Sequence, residues 1–176
     1  MSYLALLQHE PVLYLVTVFV LGLVVGSFLN VVILRLPVML HRQWHSECLD
    51  YLTEHHPRQL KLGDPQPEGG SYNLLTPASR CPQCGHAIRA WENIPVLSYL
   101  LLRGRCSSCR TPISLRYPVI ELASGLLAAV TAWQLGVTPL AAFAILLSWA
   151  LICLTVIDYD HFYLPDNIVL PMLSGR

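Results

Sequence analysis

The chain has 176 residues, of which 54% are hydrophobic and only 12% charged, with eleven acids balancing eleven Lys and Arg. So little charge over one domain's worth of length excludes an ordinary water-soluble domain and implies an integral membrane protein. A net charge of zero gives no sign of a nucleic-acid partner, and none is expected.

The first span is expected from about Val12 to Leu34, an uncharged apolar run with Pro11 where a helix tolerates proline best. No basic residue precedes it and no small-x-small pattern follows it, so it reads as a span and not a cleaved signal peptide. Gly22, Gly26 and Asn30 recur every fourth residue and share one face, with Ser27 beside them. Small residues at this spacing let a second helix come close, and an Asn amide can bond across the contact.

From Arg35 to Leu62 the sequence turns polar, and Trp44, Cys48, Tyr51 and Leu52 form a weak apolar face of a helix. Gly63 to Arg80 reads as loop from its prolines and glycines. His41, His45, His55 and His56 match no metal spacing and read as solvated. Ten of the eleven Lys and Arg lie between Arg35 and Arg116. Basic loops stay on the cytoplasmic side, so this segment is expected to be cytoplasmic and the N-terminus outside. Its cysteines then face a reducing compartment and are expected to be thiols or metal ligands.

Cys81-Pro82-Gln83-Cys84 and Cys106-Ser107-Ser108-Cys109 are two Cys-x-x-Cys knuckles with twenty-one residues between them. Four thiolates at this spacing suit a tetrahedral zinc site of the zinc-ribbon kind, closed and therefore structural. Cys48 and Cys153 fall outside the pattern. Between the knuckles, Ile94 to Leu102 is apolar but too short to span, and is expected to lie against the membrane face.

The second span is expected from Pro118 to about Leu135, with Glu121 in its first turn. Gly136 to Pro139 is a tight external turn, and a third span returns from Pro139 to Ile157. It ends in Asp158, followed by Asp160 and Asp166, on the same side as the cysteine module. A carboxylate at the end of a span is costly to keep charged and is usually retained for function. Ile168 to Leu173 looks like the start of a fourth helix, and the sequence reads as cut short. The expected architecture is thus an all-α polytopic membrane protein, three full spans plus the start of a fourth, with a small cytoplasmic zinc-ribbon-like insertion. Its divisions are 1–35 for the first span, 36–116 for the cytoplasmic domain, and 117–176 for the remaining helices and the acidic motif.

Peptide hydrolysis by acids needs one ionised carboxylate to activate water and a protonated partner to polarise the carbonyl. Asp158 and Asp160 are not expected to be that pair, because side chains two apart on a helix point in different directions. Glu121 is the nearest other acid in the membrane part, with a capping or interfacial role expected for it. The three acids also fit a divalent-ion site for a phosphate-bearing lipid, or a solvated exit from a span.

Gly26-Ser27-Phe28-Leu29-Asn30 through Leu36-Pro37, the paired knuckles, Asn93 to Ser98 with Arg103-Gly104-Arg105-Cys106, and Ile157-Asp158 through Leu164-Pro165-Asp166 together resemble the type IV prepilin peptidases. The resemblance runs from the first helix onward, with the motifs in family order. It implies an intramembrane aspartic peptidase of the bacterial inner membrane, serving type IV pilus assembly and type II secretion. Such an enzyme removes the short basic leader of prepilins and pseudopilins at the cytoplasmic face, then methylates the new N-terminus with S-adenosylmethionine. It implies Asp158 as the first catalytic aspartate, Cys81, Cys84, Cys106 and Cys109 as zinc ligands, and Arg103, Gly104 and Arg105 as the segment associated with methyl transfer. The family's second catalytic aspartate lies in a Gly-x-Gly-Asp motif that these 176 residues do not contain, so Asp158 alone is not expected to cleave peptides. The alternative is a non-catalytic, membrane-anchored zinc-ribbon module that binds leaders or assembly partners.

Overall fold

A computed structural model describes residues 9–55 and 72–173; His56 and the first part of the expected loop, 63–71, lie outside the described residues. Among the described residues, five α-helices and one short 3-10 turn follow in order. Helix α1 is Pro11–His55, α2 is Leu97–Leu101 with the 3-10 turn Ala90–Asn93 before it, α3 is Arg116–Leu135, α4 is Pro139–His161 and α5 is Asp166–Leu173. Extended pairing among the described residues is confined to two isolated bridges, Arg80 with Ala87 and Arg105 with Pro112. Three helices, α1, α3 and α4, are long and apolar enough to cross a membrane, and the protein is an all-α, multi-pass membrane fold.

The first helix does not stop at the end of its apolar run. Its 45 residues rise about 1.5 Å each, roughly 68 Å in all, against about 30 Å of bilayer hydrocarbon. Hydropathy marks where a helix leaves the membrane, whereas the helix ends only where its backbone is broken. Beyond Leu34 the one interrupter is Pro37, which removes a single hydrogen bond, and the residues after it, such as Met39, Leu40, Gln43 and Glu47, favour helix. The expected Trp44, Cys48, Tyr51 and Leu52 face lies on this extension and lines an open apolar groove with Glu47.

Helices α1 and α3 pack at backbone contact. A Cβ built on Gly26 would lie 2.7 Å from the Glu121 Cα, and one on Gly22 would lie 2.7 Å from the Gly125 Cα. The glycine face therefore does what its spacing predicts, and its partner is the Glu121, Ser124 and Gly125 face of α3. Asn30 donates its amide to the Tyr117 carbonyl at 3.2 Å, so the polar member of the same face bonds across the contact. Helix α4 then closes the bundle: Trp149 donates its indole N–H to the Ser124 carbonyl at 3.2 Å. Ile145, Cys153 and Ile157 join Leu29, Ile33, Ile120, Ala128 and Ala132 in the core.

The outer faces carry Val16, Val20, Val24 and Phe28 on α1, and Phe143, Leu146 and Leu151 on α4, all apolar and exposed, as suits spans in a bilayer. At the far end of the bundle, Gly136 turns the chain at a positive φ of 63°, and the Thr138 hydroxyl caps α4 by accepting from the Ala141 N–H. The Tyr14 hydroxyl donates to the Gly136 carbonyl at 2.9 Å, which ties the start of α1 to this turn. Asp158 and the cysteine module consequently share the opposite end.

Candidate metal centre and membrane-boundary carboxylate

Each knuckle is built by the same backbone device. The Cys81 N–H donates to the His86 carbonyl and the Gly85 N–H to the Cys81 carbonyl, both at 2.9 Å. In the second knuckle the Cys106 N–H donates to the Thr111 carbonyl at 2.9 Å and the Arg110 N–H to the Cys106 carbonyl at 3.0 Å. Gly85 and Arg110 occupy equivalent positions and both have positive φ, 69° and 59°. A residue there must turn left-handed so that the second cysteine of its knuckle faces back toward the first, which glycine does at little cost.

The two knuckles bring all four sulfurs within 4.8 Å of one another. Tetrahedral thiolates about 2.3 Å from a zinc ion stand about 3.8 Å apart. The Cys81–Cys109 and Cys84–Cys106 separations of 3.7 and 4.0 Å match this spacing. Thr111, through its hydroxyl and its N–H, pulls the Cys109 thiol down to about 6. The His86 amide favours the Cys84 thiolate, but desolvation and the adjacent sulfurs outweigh it and push Cys84 up to about 11. Four sulfurs so close cannot all ionise without a cation between them, and a divalent, thiophilic metal would supply that charge. Cys81, Cys84, Cys106 and Cys109 form the single group of this kind among the described residues; His41, His45 and His55 join none.

A second network, which the sequence does not announce, joins the knuckles. Glu92 accepts from the Arg89 N–H at 2.8 Å and pairs with His86 at 3.2 Å, while the Ser107 hydroxyl meets the same His86 nitrogen at 3.3 Å. The Arg89 amide, with Ser107 and His86, holds the Glu92 carboxyl down at about 2. The two knuckles are thus joined through a carboxylate and a histidine as well as by the close approach of their sulfurs.

Gly104 is buried, with φ at +64°, and a Cβ there would lie 2.6 Å from the Tyr99 hydroxyl. Its missing side chain makes room for a tyrosine and leaves no cradle for a cofactor. Arg103, at φ +52°, and Arg105 are exposed on either side.

Glu121 does not cap its own helix. Helix α3 starts at Arg116, two residues before the expected Pro118, so Glu121 falls in the second turn. Its carboxylate accepts from the Val96 N–H at 2.7 Å, with the Ser27 hydroxyl also bonded to it. Val96 has a φ of +58°, a strained conformation for a β-branched residue, held by this contact. Glu121 therefore fastens the cysteine module to the α1–α3 pair.

Asp158 follows Ile157, which is fully buried in the core, and so stands where α4 leaves the bundle. The Asp158 carbonyl accepts from the N–H of Phe162, whose left-handed conformation ends the helix. Of the three acids, Asp160 is paired with Arg116 at the start of α3, and Asp166 opens the first turn of α5. Among the described residues the Asp158 carboxylate alone of the first two has no hydrogen-bond or ion-pair partner, and its side chain is exposed. Just beyond, Tyr163 packs edge-on against Trp44 and His41 of the α1 extension, with ring centroids 5.4 and 5.8 Å apart. All three long helices thus converge on the segment that carries Asp158.

The chain matches the family described as Bacterial Peptidase A24 N-terminal domain over residues 20–135. It is 48% identical over 167 residues to a "Prepilin leader peptidase/N-methyltransferase" of Stutzerimonas stutzeri, covering 95% of this chain and 55% of the relative. A protein of the same name from Pseudomonas putida is 50% identical over 167 residues, again 95% of this chain and 54% of the relative. The Neisseria gonorrhoeae protein of that name is 50% identical over 154 residues, 88% of this chain and 51% of the relative. The chain thus spans about half the length of the curated relatives it matches. No solved structure matches it significantly. With a family match across most of its length and identities near one half, the chain belongs to the bacterial A24 peptidase family, whose N-terminal domain it carries.

Proposed function

We propose that this chain contributes the zinc module and the first catalytic carboxylate of a prepilin leader peptidase and N-methyltransferase. The observation that carries the reading is the near-50% identity, over almost the whole chain, to relatives bearing that name. It is supported by Asp158, whose unpaired carboxylate stands at the membrane boundary on the side of the cysteine module. Orientation with that side cytoplasmic, in a bacterial inner membrane, follows from the cluster of Arg and Lys between Arg35 and Arg116.

In this reading Asp158 is one member of an aspartic pair, the ionised carboxylate or its protonated partner, and cleavage of prepilin and pseudopilin leaders belongs to the whole protein. Asp160, neutralised by Arg116, holds the α3 and α4 ends together and keeps Asp158 in place. Zinc, held by Cys81, Cys84, Cys106 and Cys109, is structural, because four thiolates leave no position for water. Transfer of a methyl group from S-adenosylmethionine to the new N-terminus is the second activity, with Arg103, Gly104 and Arg105 the segment associated with it. Gly104 serves that segment as the residue that shapes its turn, and no contact with the methyl donor is assigned to it.

The test is coexpression of the full-length protein with a prepilin, followed by separation of precursor and mature pilin. Asp158→Asn is expected to abolish leader removal, whereas Asp160→Asn retains most of it. Full cleavage by the Asp158→Asn protein would remove Asp158 from the mechanism. Retained pilin binding with no leader removal by parent or variant would favour a non-catalytic binding module.

A further inference from the structure

We infer that the segment from Trp91 to Arg103 is a second membrane contact, a monotopic anchor seated in the headgroup layer and selective for anionic phospholipid. Helix α2 is amphipathic in a fixed sense. Tyr99 turns inward, filling the space over Gly104 and donating to the Ile113 carbonyl at 3.3 Å. Leu97, Leu100 and Leu101, at i, i+3 and i+4, form the opposite face and are 50%, 66% and 74% exposed. Ile94 and Trp91, before the helix, are exposed as well.

The depth of this face comes from an independent contact. The Val96 N–H, at the start of α2, is bonded to Glu121 in the second turn of a membrane-spanning helix. Residues on the outer surface of that same helix, Val119 and Leu122, are exposed for lipid. The leucines of α2 therefore lie at the level where α3 enters the bilayer, and not out in the cytoplasm. The occupant follows from charge. Arg89 and Arg103 flank the apolar face, with the Arg89 guanidinium 5.0 Å from the Trp91 ring centroid. Arg105 lies two residues beyond Arg103. An apolar face with an aromatic residue and cations at its margin is the composition that settles at an anionic membrane surface. A protein partner on this face would have to displace lipid from the mouth of a span.

The experiment places a benzophenone amino acid at Leu101 of the full chain, reconstituted in nanodiscs of phosphatidylcholine with a minor share of phosphatidylglycerol. After irradiation, adducts are identified by mass spectrometry. Lipid adducts are expected at Leu101, as at the lipid-facing Leu146, and not at Leu75, which is 83% exposed in the loop before the first knuckle. Phosphatidylglycerol is expected to be enriched among the adducts above its share. That enrichment should fall by about fivefold for each cation removed in Arg89→Gln and Arg103→Gln. Absence of lipid at Leu101 while Leu146 labels, or an adduct to protein instead, would overturn the proposal. So would lipid labelling with no preference for phosphatidylglycerol. Retained zinc shows that the module remains folded in each variant, and the benzophenone at Leu97 gives a second reading of the same face.

Discussion

Replacement of Gly26 by Ala tests the α1–α3 contact most directly. The new methyl would meet the Glu121 Cα at 2.7 Å and the Ser124 Cβ at 2.9 Å. Ordinary contact begins at 3.4 Å, so α3 must retreat by about 0.7 Å, and because the obstacle is backbone no rotamer change relieves it. Overpacking of this kind costs about 1–3 kcal/mol. The same retreat lengthens the 3.2 Å Asn30–Tyr117 bond past useful range, a loss of about 0.6 kcal/mol for an interhelical bond in a membrane. Against these, Ala gains about 1 kcal/mol over Gly in helix propensity. The net expectation is a destabilisation of about 0.6–2.6 kcal/mol, measured as a shifted midpoint when the protein in mild detergent is titrated with sodium dodecyl sulfate. Gly125→Ala is the internal control, because two of its three nearest neighbours at 3.0–3.1 Å are the flexible side chains of Leu23 and Phe19. It should cost clearly less. A Gly26→Ala protein as stable as the parent would refute close backbone packing at this position.

Cys84→Ser removes one of the four proposed metal ligands; zinc should fall from stoichiometric to background against a mild chelator, and amide protection across both knuckles should be lost, since zinc binding supplies about 10–16 kcal/mol to such modules. Gly85→Ala forces a Cβ into a left-handed position with nothing within 4 Å, so its cost of about 1 kcal/mol should appear as faster zinc release without any steric signature. Glu92→Gln should speed hydrogen exchange at the Arg89 amide at neutral pH. Because Glu92 is held at about 2, below the usual 4.5, its contribution is complete above pH 4.5 and fades as pH falls toward 2. The difference between parent and variant should therefore narrow over that window, and a difference that grows on acidification would contradict the assigned contacts.

What could be read in advance from the chain divides by the range of the forces involved. The Gly22, Gly26 and Asn30 face is fixed by helix geometry within a single turn, so its spacing announces a close contact. The identity of its partner on α3 depends on how two separate helices meet, although Ser124, Ala128 and Ala132, small residues four apart, carry the matching signal. The cysteine spacing likewise specifies a tetrahedral site, because the ligands carry their own geometry. The Glu92, His86 and Ser107 network shows no local pattern, since it exists only once the two knuckles face each other. Hydropathy predicts a membrane exit for α1 near Leu34 and is silent about the helix continuing beyond it. Glu121 was legible as a polar residue at the boundary, but its partner, the N–H of a strained Val96, is a product of tertiary placement.

Pro37 sits just where α1 passes out of the bundle, fully buried and unable to donate to the carbonyl one turn below. A long rod with one rung missing bends there first. Arg35 lies on one side of that weak point, bonded to the Asn73 and Pro77 carbonyls at 2.9 and 2.6 Å, and Arg42 lies on the other. Both guanidiniums reach the Tyr72 ring, at 5.9 and 4.6 Å from its centroid. The loop that leads into the first knuckle is thereby strapped across the proline like a splint. Bending load on the upper half of the rod passes through this brace to the sulfur-bearing module, and through Trp44 and Tyr163 to the turn that follows Asp158.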